Sequence, residues 1–191
     1  MTHLDRWLAP AAAALAACAY AVLAALLEGY SHLLHPVALP GAVGVPRAWA
    51  FNLLVFVLPG LLLAVSAWRI RNRLPAGAGM AARIGATMLL LSALAYAMQG
   101  VLPLDPDQLD GGGSRLHAVA WTLWWIAFLA GAALLAVSLR ELRLATVLAW
   151  LLLLGAGVLL PQLLGTGISQ RLAFAAWFAW MWWLDSTLRL E

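Results

Sequence analysis

Six apolar runs, each close to twenty residues long, set the architecture of this chain before any motif is considered. They lie near 7–28, 48–68, 84–103, 117–139, 144–163 and 171–188, and a hydrocarbon core takes about 20 helical residues to cross. Backbone N–H and C=O groups find no water there, so each run must close its own hydrogen bonds as a helix. The segments between the runs are too short for a separate soluble domain. Residues 1–191 read as one domain, an all-α membrane protein built as a six-transmembrane-helix bundle.

Composition agrees. Hydrophobic residues make up 65% of the chain and charged residues 10%, whereas a soluble domain is about half apolar and a quarter charged. All eleven basic residues are arginine, so the pI near 9.8 comes from permanently charged groups at the borders of spans. No basic face exists, which excludes nucleic acid as a partner. The single cysteine, Cys18, cannot close an internal disulfide. The opening, MTHLDRWLAPAAAALAACAY, has the outline of a signal peptide, and Leu15-Ala16-Ala17-Cys18 resembles a lipoprotein cleavage box. The apolar run continues to Leu27, long enough to span, so it reads as a retained first helix.

Arginines in the short loops set the orientation. With the N-terminus cytoplasmic, the inner segments hold Arg6, Arg69, Arg71, Arg73, Arg83, Arg140, Arg143 and Arg189, and the outer loops hold only Arg47, Arg115 and Arg171. Excess arginine stays inside, which places both termini in the cytoplasm. Trp7, Trp68, Trp182 and Trp183 then fall at the inner interface, and Trp49 and Trp121 at the outer one, as anchors of an aromatic belt; other tryptophans fill the core.

Under this orientation the polar chemistry gathers outside, in three loops. The stretch from Glu28 to Asn52, EGYSHLLHPVALPGAVGVPRAWAFN, carries two histidines, an acid, three prolines and an arginine, and Gln99, Gln162, Gln170 and the segment LDPDQLD lie at the same end. Glu28, His32 and His35 are spaced i, i+4, i+7. If the first helix runs on to Pro36 they share a face, and with His117 they form a candidate divalent-metal set. Gly29 and Tyr30-Ser31 offer the opposite outcome, a helix that stops first. The histidines then sit at headgroup level as amphipathic side chains do.

Asp105 and Asp107 with His117 also suit a general acid and base. The alternative is turn chemistry: Pro103-Leu104-Asp105-Pro106-Asp107 is a rigid corner whose aspartates satisfy free backbone groups, and Ser114 is placed to cap the fourth helix. No nucleophile elbow, HExxH, P-loop or dinucleotide fingerprint is present, so the sequence specifies no cofactor. Within the spans, Asn52 is expected to bond to a neighbouring helix or to join the outer pocket. Pro59-Gly60 is expected to kink or unwind the second helix. Asp185 and Arg189, four apart, read as a local ion pair. Arg47, Arg115 and Arg171 each precede an Ala/Trp-bearing segment at the outer start of an even-numbered helix and oppose the positive-inside bias. Their convergence on an anionic headgroup, beside Asn52 and Gln170, is the expectation that gives the outer pocket a ligand.

HPVALPGAVGVPRAWAFNLLVFVLPG, the QGVLPLDPD segment followed by His117, and GISQRLAFAAWFAW resemble the domain-of-unknown-function 998 family of six-helix prokaryotic membrane proteins. Leu39-Pro40-Gly41-Ala42 stands where many members have a serine- and glutamate-containing turn. A fainter resemblance is to the eukaryotic damage-regulated autophagy modulator group, some members of which are linked to lipid organisation. The resemblance implies six helices in a bacterial inner membrane and brings no catalytic residues. Two functions stay open. The first is a non-catalytic protein that binds membrane lipids, or another membrane protein or a second copy of itself, through an outer pocket of Arg47, Asn52, Asp105, Asp107, Arg115, His117, Gln170 and Arg171. The second is a small membrane-embedded enzyme, metal-dependent through Glu28, His32, His35 and His117, acting on a lipid or amphiphile at the outer face.

Overall fold

A computed structural model of the chain describes residues 5–74 and 77–188. It is all-α, and among the described residues there are seven helices: α1 (Leu8–Ala25), α2 (Ala48–Arg73), α3 (Gly79–Val101), α4 (Gly112–Ser138), α5 (Arg143–Val158), α6 (Leu160–Leu164) and α7 (Thr166–Thr187). The first four are long and apolar enough to cross a membrane. The fifth expected span is divided. Pro161 sits at the start of α6, where it has no N–H to continue the α5 ladder and its ring crowds the carbonyl four residues back, so a single helix over 144–163 does not form. The sixth reaches back to Thr166, because Thr166–Gln170 is helical although too polar to be counted in the apolar run.

The second helix departs from α-geometry where Pro59-Gly60 foretold it. Asn52–Val57 is a π-helical turn, and the N–H of Leu58 reaches back five residues to the carbonyl of Leu53. Such a turn is a usual way for a helix to absorb a local misfit. Gly60 sits where α2 meets α3: a Cβ there would stand 2.7 Å from the Cβ and backbone N of Ala97. α3 and α4 approach just as closely at Gly85 and Gly131, each of which would drive a Cβ to 2.9 Å from the other's carbonyl oxygen. Helices in lipid gain little from the hydrophobic effect and associate by such close backbone packing.

The core is aromatic. Tyr96, Trp124 and Trp177 are fully buried, with the rings of Tyr96 and Trp177 centred 4.7 Å apart and those of Trp124 and Phe174 4.8 Å apart. Offset and edge-on ring pairs of this kind add to simple burial. By contrast Trp7, Trp49, Trp68 and Trp182 are about half exposed or more, in keeping with interfacial anchoring. Asp185 is buried on α7, while Arg189 lies outside the described residues, as does His3.

Candidate functional site

The long loop between α1 and α2 folds back over the end of the bundle and is fastened to helices remote in sequence. Asn52, in the π-turn, donates through Nδ2 to the carbonyl of Gly41 at 2.8 Å. Val43 N–H reaches the carbonyl of Leu104 at 2.8 Å, joining this loop to the one between α3 and α4. On the other side, Val37 N–H donates to Gln170 Oε1 at 2.9 Å, and Gly167 N–H to the carbonyl of Leu33 at 3.1 Å. Gly167 has no room for a side chain, since a Cβ would meet the carbonyl oxygens of His32 and His35 at 2.6 and 2.7 Å.

Arg171 is the charge at the centre of this arrangement. Its Nη2 donates to Tyr30 Oη at 2.7 Å and its Nη1 to the carbonyl of His35 at 3.3 Å. The guanidinium carbon lies 5.2 Å from the ring centre of Tyr20 and 5.7 Å from that of Tyr30, a distance at which a ring face attracts a cation. Tyr20 and Tyr30 are hydrogen-bonded to each other at 3.0 Å. Burial pushes the Tyr30 phenol well above its ordinary range, the Tyr20 hydroxyl adds to that, and the Arg171 charge opposes it. Arg171 Nε is buried without a hydrogen-bond partner.

A groove of about 490 Å³ starts at Arg171 and runs between α1 and α7, with Ala13, Ala17 and Tyr20 on one wall, Phe174 and Phe178 on the other and Trp182 at the far end. A smaller cavity of about 210 Å³ lies under the α1–α2 loop, among Val37, Phe56, Gln99, His117, Trp121 and Gln170. His117 is buried there. Its Nδ1 faces two carbonyls, of Gln99 at 3.2 Å and of Leu102 at 2.8 Å, so Nδ1 carries the proton that is donated.

The model of the family described as protein of unknown function DUF998 matches residues 10–185. This chain belongs to the DUF998 family. No curated protein and no solved structure matches it.

In this DUF998 protein the residues expected to form one outer pocket are distributed among several places. Arg171, Gln170 and His117 line the groove and the cavity just described. Arg47, the N-cap of α2 in a left-handed conformation with φ of 62°, shares a separate pocket of about 290 Å³ with Glu28. Arg115 is exposed in the first turn of α4. The three arginines therefore do not converge, and Arg171 stands in the second turn of α7, away from its end.

The acidic loop performs turn chemistry. Asp105 Oδ1 accepts the N–H of Asp107 at 3.0 Å, while Ser114 Oγ and the backbone of Asp105 exchange two hydrogen bonds of 3.1 Å. His117 is held by carbonyls and not by Asp105 or Asp107.

The histidine face is not built either, because α1 ends at Ala25 and leaves Glu28 in the loop. His32 Nδ1 pairs with Tyr20 Oη at 3.1 Å, His35 Nδ1 accepts Ser31 N–H at 3.0 Å, and among the described residues no three acidic, histidine or cysteine side chains gather for a metal. Sequence reasoning passed over Tyr20 and Tyr30 as site residues, and placed Gln99 at the outer end without giving it a role. Gln99 carried a signal, being the only amide side chain in the 84–103 run. The tyrosines carried none, since the loop that places Tyr30 beside α7 is fixed by contacts more than 130 residues apart.

Proposed function

We propose that this DUF998 membrane protein crosses the bilayer six times, with α5–α6 and α7 as the last two crossings and both termini in the cytoplasm, and that it binds an anionic lipid in the groove between α1 and α7. A bacterial inner membrane is the setting the family resemblance implies. One observation carries the reading: the Arg171 guanidinium, with an unpartnered buried Nε, heads an apolar groove and has only neutral groups around it. A membrane-embedded arginine is costly unless its charge is met, and a phosphate or carboxylate fits its forked donors. From Arg171 to Trp182 α7 rises about 16 Å at 1.5 Å per residue, close to the depth of one leaflet's hydrocarbon. One acyl chain then lies in the groove with its headgroup at the loop end.

The experiment is mass spectrometry of lipids retained through purification. Arg171→Gln should lower the anionic lipid retained several-fold, and Ala17→Phe, which fills the groove without touching the arginine, should do the same. Arg115→Gln serves as the exposed-arginine control. Equal lipid content in all three variants and the parent protein overturns the proposal.

A further inference from the structure

The cavity under the α1–α2 loop carries a polar group that the fold itself does not use. Gln99, in the last turn of α3, is 1% exposed, and its Nε2 has no hydrogen-bond partner among the described residues. A buried amide with unmade bonds loses the full cost of its desolvation. Its side chain borders the cavity together with His117 from α4 and Gln170 from α7. The Nδ1–H of His117 is spent on the carbonyls of Gln99 and Leu102, and in the Nδ1–H tautomer Nε2 is left as an acceptor. Gln170 Oε1 is spent on Val37 N–H, which leaves its amide N–H groups as donors. Three helices thus supply two free donors and one free acceptor around a small space whose other walls include Val37, Phe56, Trp121 and Phe174.

We propose that this cavity is a binding site for a short-chain monocarboxylic acid, separate from the lipid groove headed by Arg171. A carboxyl group matches the pattern: one oxygen accepts from the glutamine amides, and the other shares with the imidazole Nε2 one proton, taken up from solvent when the carboxylate binds. The apolar walls take the hydrocarbon tail. Size selects the chain, because a cavity of about 150 Å³ holds the six heavy atoms of benzene, so about 210 Å³ suits an acid of four to six carbons. No arginine or carboxylate lines the space, which disfavours a polyanion or an amine.

The test uses the full chain in nanodiscs, with thermal unfolding followed against a series from acetate to octanoate and with 1-butanol and butylamine as controls. Butanoate and hexanoate should raise Tm saturably, the longer acid and both controls should not, and Gln99→Leu should weaken the response about tenfold or more, the effect of losing a hydrogen bond to such a group. Arg171→Gln should leave the response intact, so failure of the lipid reading and failure of this one are separately visible. Because Gln99→Leu removes an unsatisfied amide, it should also raise the Tm of ligand-free protein. No acid-specific stabilisation of the parent protein, or a response that survives Gln99→Leu unchanged, overturns the assignment. If that variant does not fold, saturation-transfer NMR of the parent protein with butanoate decides: no transfer to butanoate overturns the site.

Discussion

Tyr96 donates its hydroxyl to the carbonyl of Val55 at 3.0 Å, and Val55 stands four residues before Pro59. In a regular helix residue 59 would supply the N–H for that carbonyl, but proline has none. The π-turn over Asn52–Val57 and the Tyr96 hydroxyl together make good what the proline removes, and the exchange ties α2 to α3 in the centre of the aromatic core. Tyr96→Phe is expected to cost about 1–2 kcal/mol by leaving a buried carbonyl unpaired. Adding Pro59→Ala, which restores the N–H, should recover part of that loss. A double-mutant cycle from thermal denaturation in detergent measures the coupling, and strict additivity would count against it.

The contact between Gly85 and Gly131 sets how near α3 and α4 can come. Gly131→Val should destabilise by about 1–3 kcal/mol through overpacking. Gly155→Ala in α5, where a Cβ meets nothing within 4 Å, should be neutral or stabilise by about 0.4–1 kcal/mol through the unfolded chain. Chemical or thermal unfolding of the two variants side by side provides the comparison.

Tyr30 gives the loop an alkaline limit. Its phenol is favoured in the neutral form, chiefly by burial, so its folded value lies above the unfolded one of 10.0. A group raised in this sense contributes stability that is complete below the unfolded value and is lost as pH rises through the folded one. The protein should therefore weaken from about pH 10 upward, and Tyr30→Phe should flatten that decline while lowering stability at neutral pH through loss of the Arg171 bond. Unfolding temperature against pH for the two proteins checks both signs.

The six-crossing topology is testable by thiol labelling in a Cys18→Ala background, Cys18 being exposed. Cysteines at the exposed positions Leu34 and Leu109 should react with an impermeant reagent in intact cells. One at Gly77, where added atoms meet nothing within 4 Å, should react only after lysis. Labelling in the reverse sense would turn the bundle over and move the Arg171 groove to the cytoplasmic leaflet.

Much of the helical architecture was legible because desolvating a backbone leaves one solution, and each apolar run had to become a helix. Boundaries were less legible at the polar ends. Thr166–Gln170 is helical for reasons that hydropathy does not register, and Pro161 divides a run whose apolarity suggested continuity. The candidate site was readable only as a location. Turn chemistry at Asp105 follows from local spacing and was anticipated, whereas Ser114, expected to cap α4, lies inside its first turn behind Gly111 and bonds the Asp105 backbone instead. The fate of Arg171 was not, because its partners Tyr20, Tyr30 and the His35 carbonyl come from the far end of the chain. The helical face of Glu28, His32 and His35 failed for a local reason: Gly29 takes a positive φ of 73°, which a helix cannot accommodate.

The stitching of the α1–α2 loop to α7 also bears on the order in which the protein is made. Val37 and Gln170 are 133 residues apart, and Tyr30 and Arg171 are 141. At about 5–20 residues per second of synthesis, the loop waits roughly 7–28 s before the residues that fasten it have been translated. Through that interval Tyr30, His35 and Val37 have no α7 to hold them, and the loop end of the bundle is the last part to close. A ribosome-stalled chain that ends before Thr166 should accordingly leave residues 26–47 open to a protease that the finished protein resists.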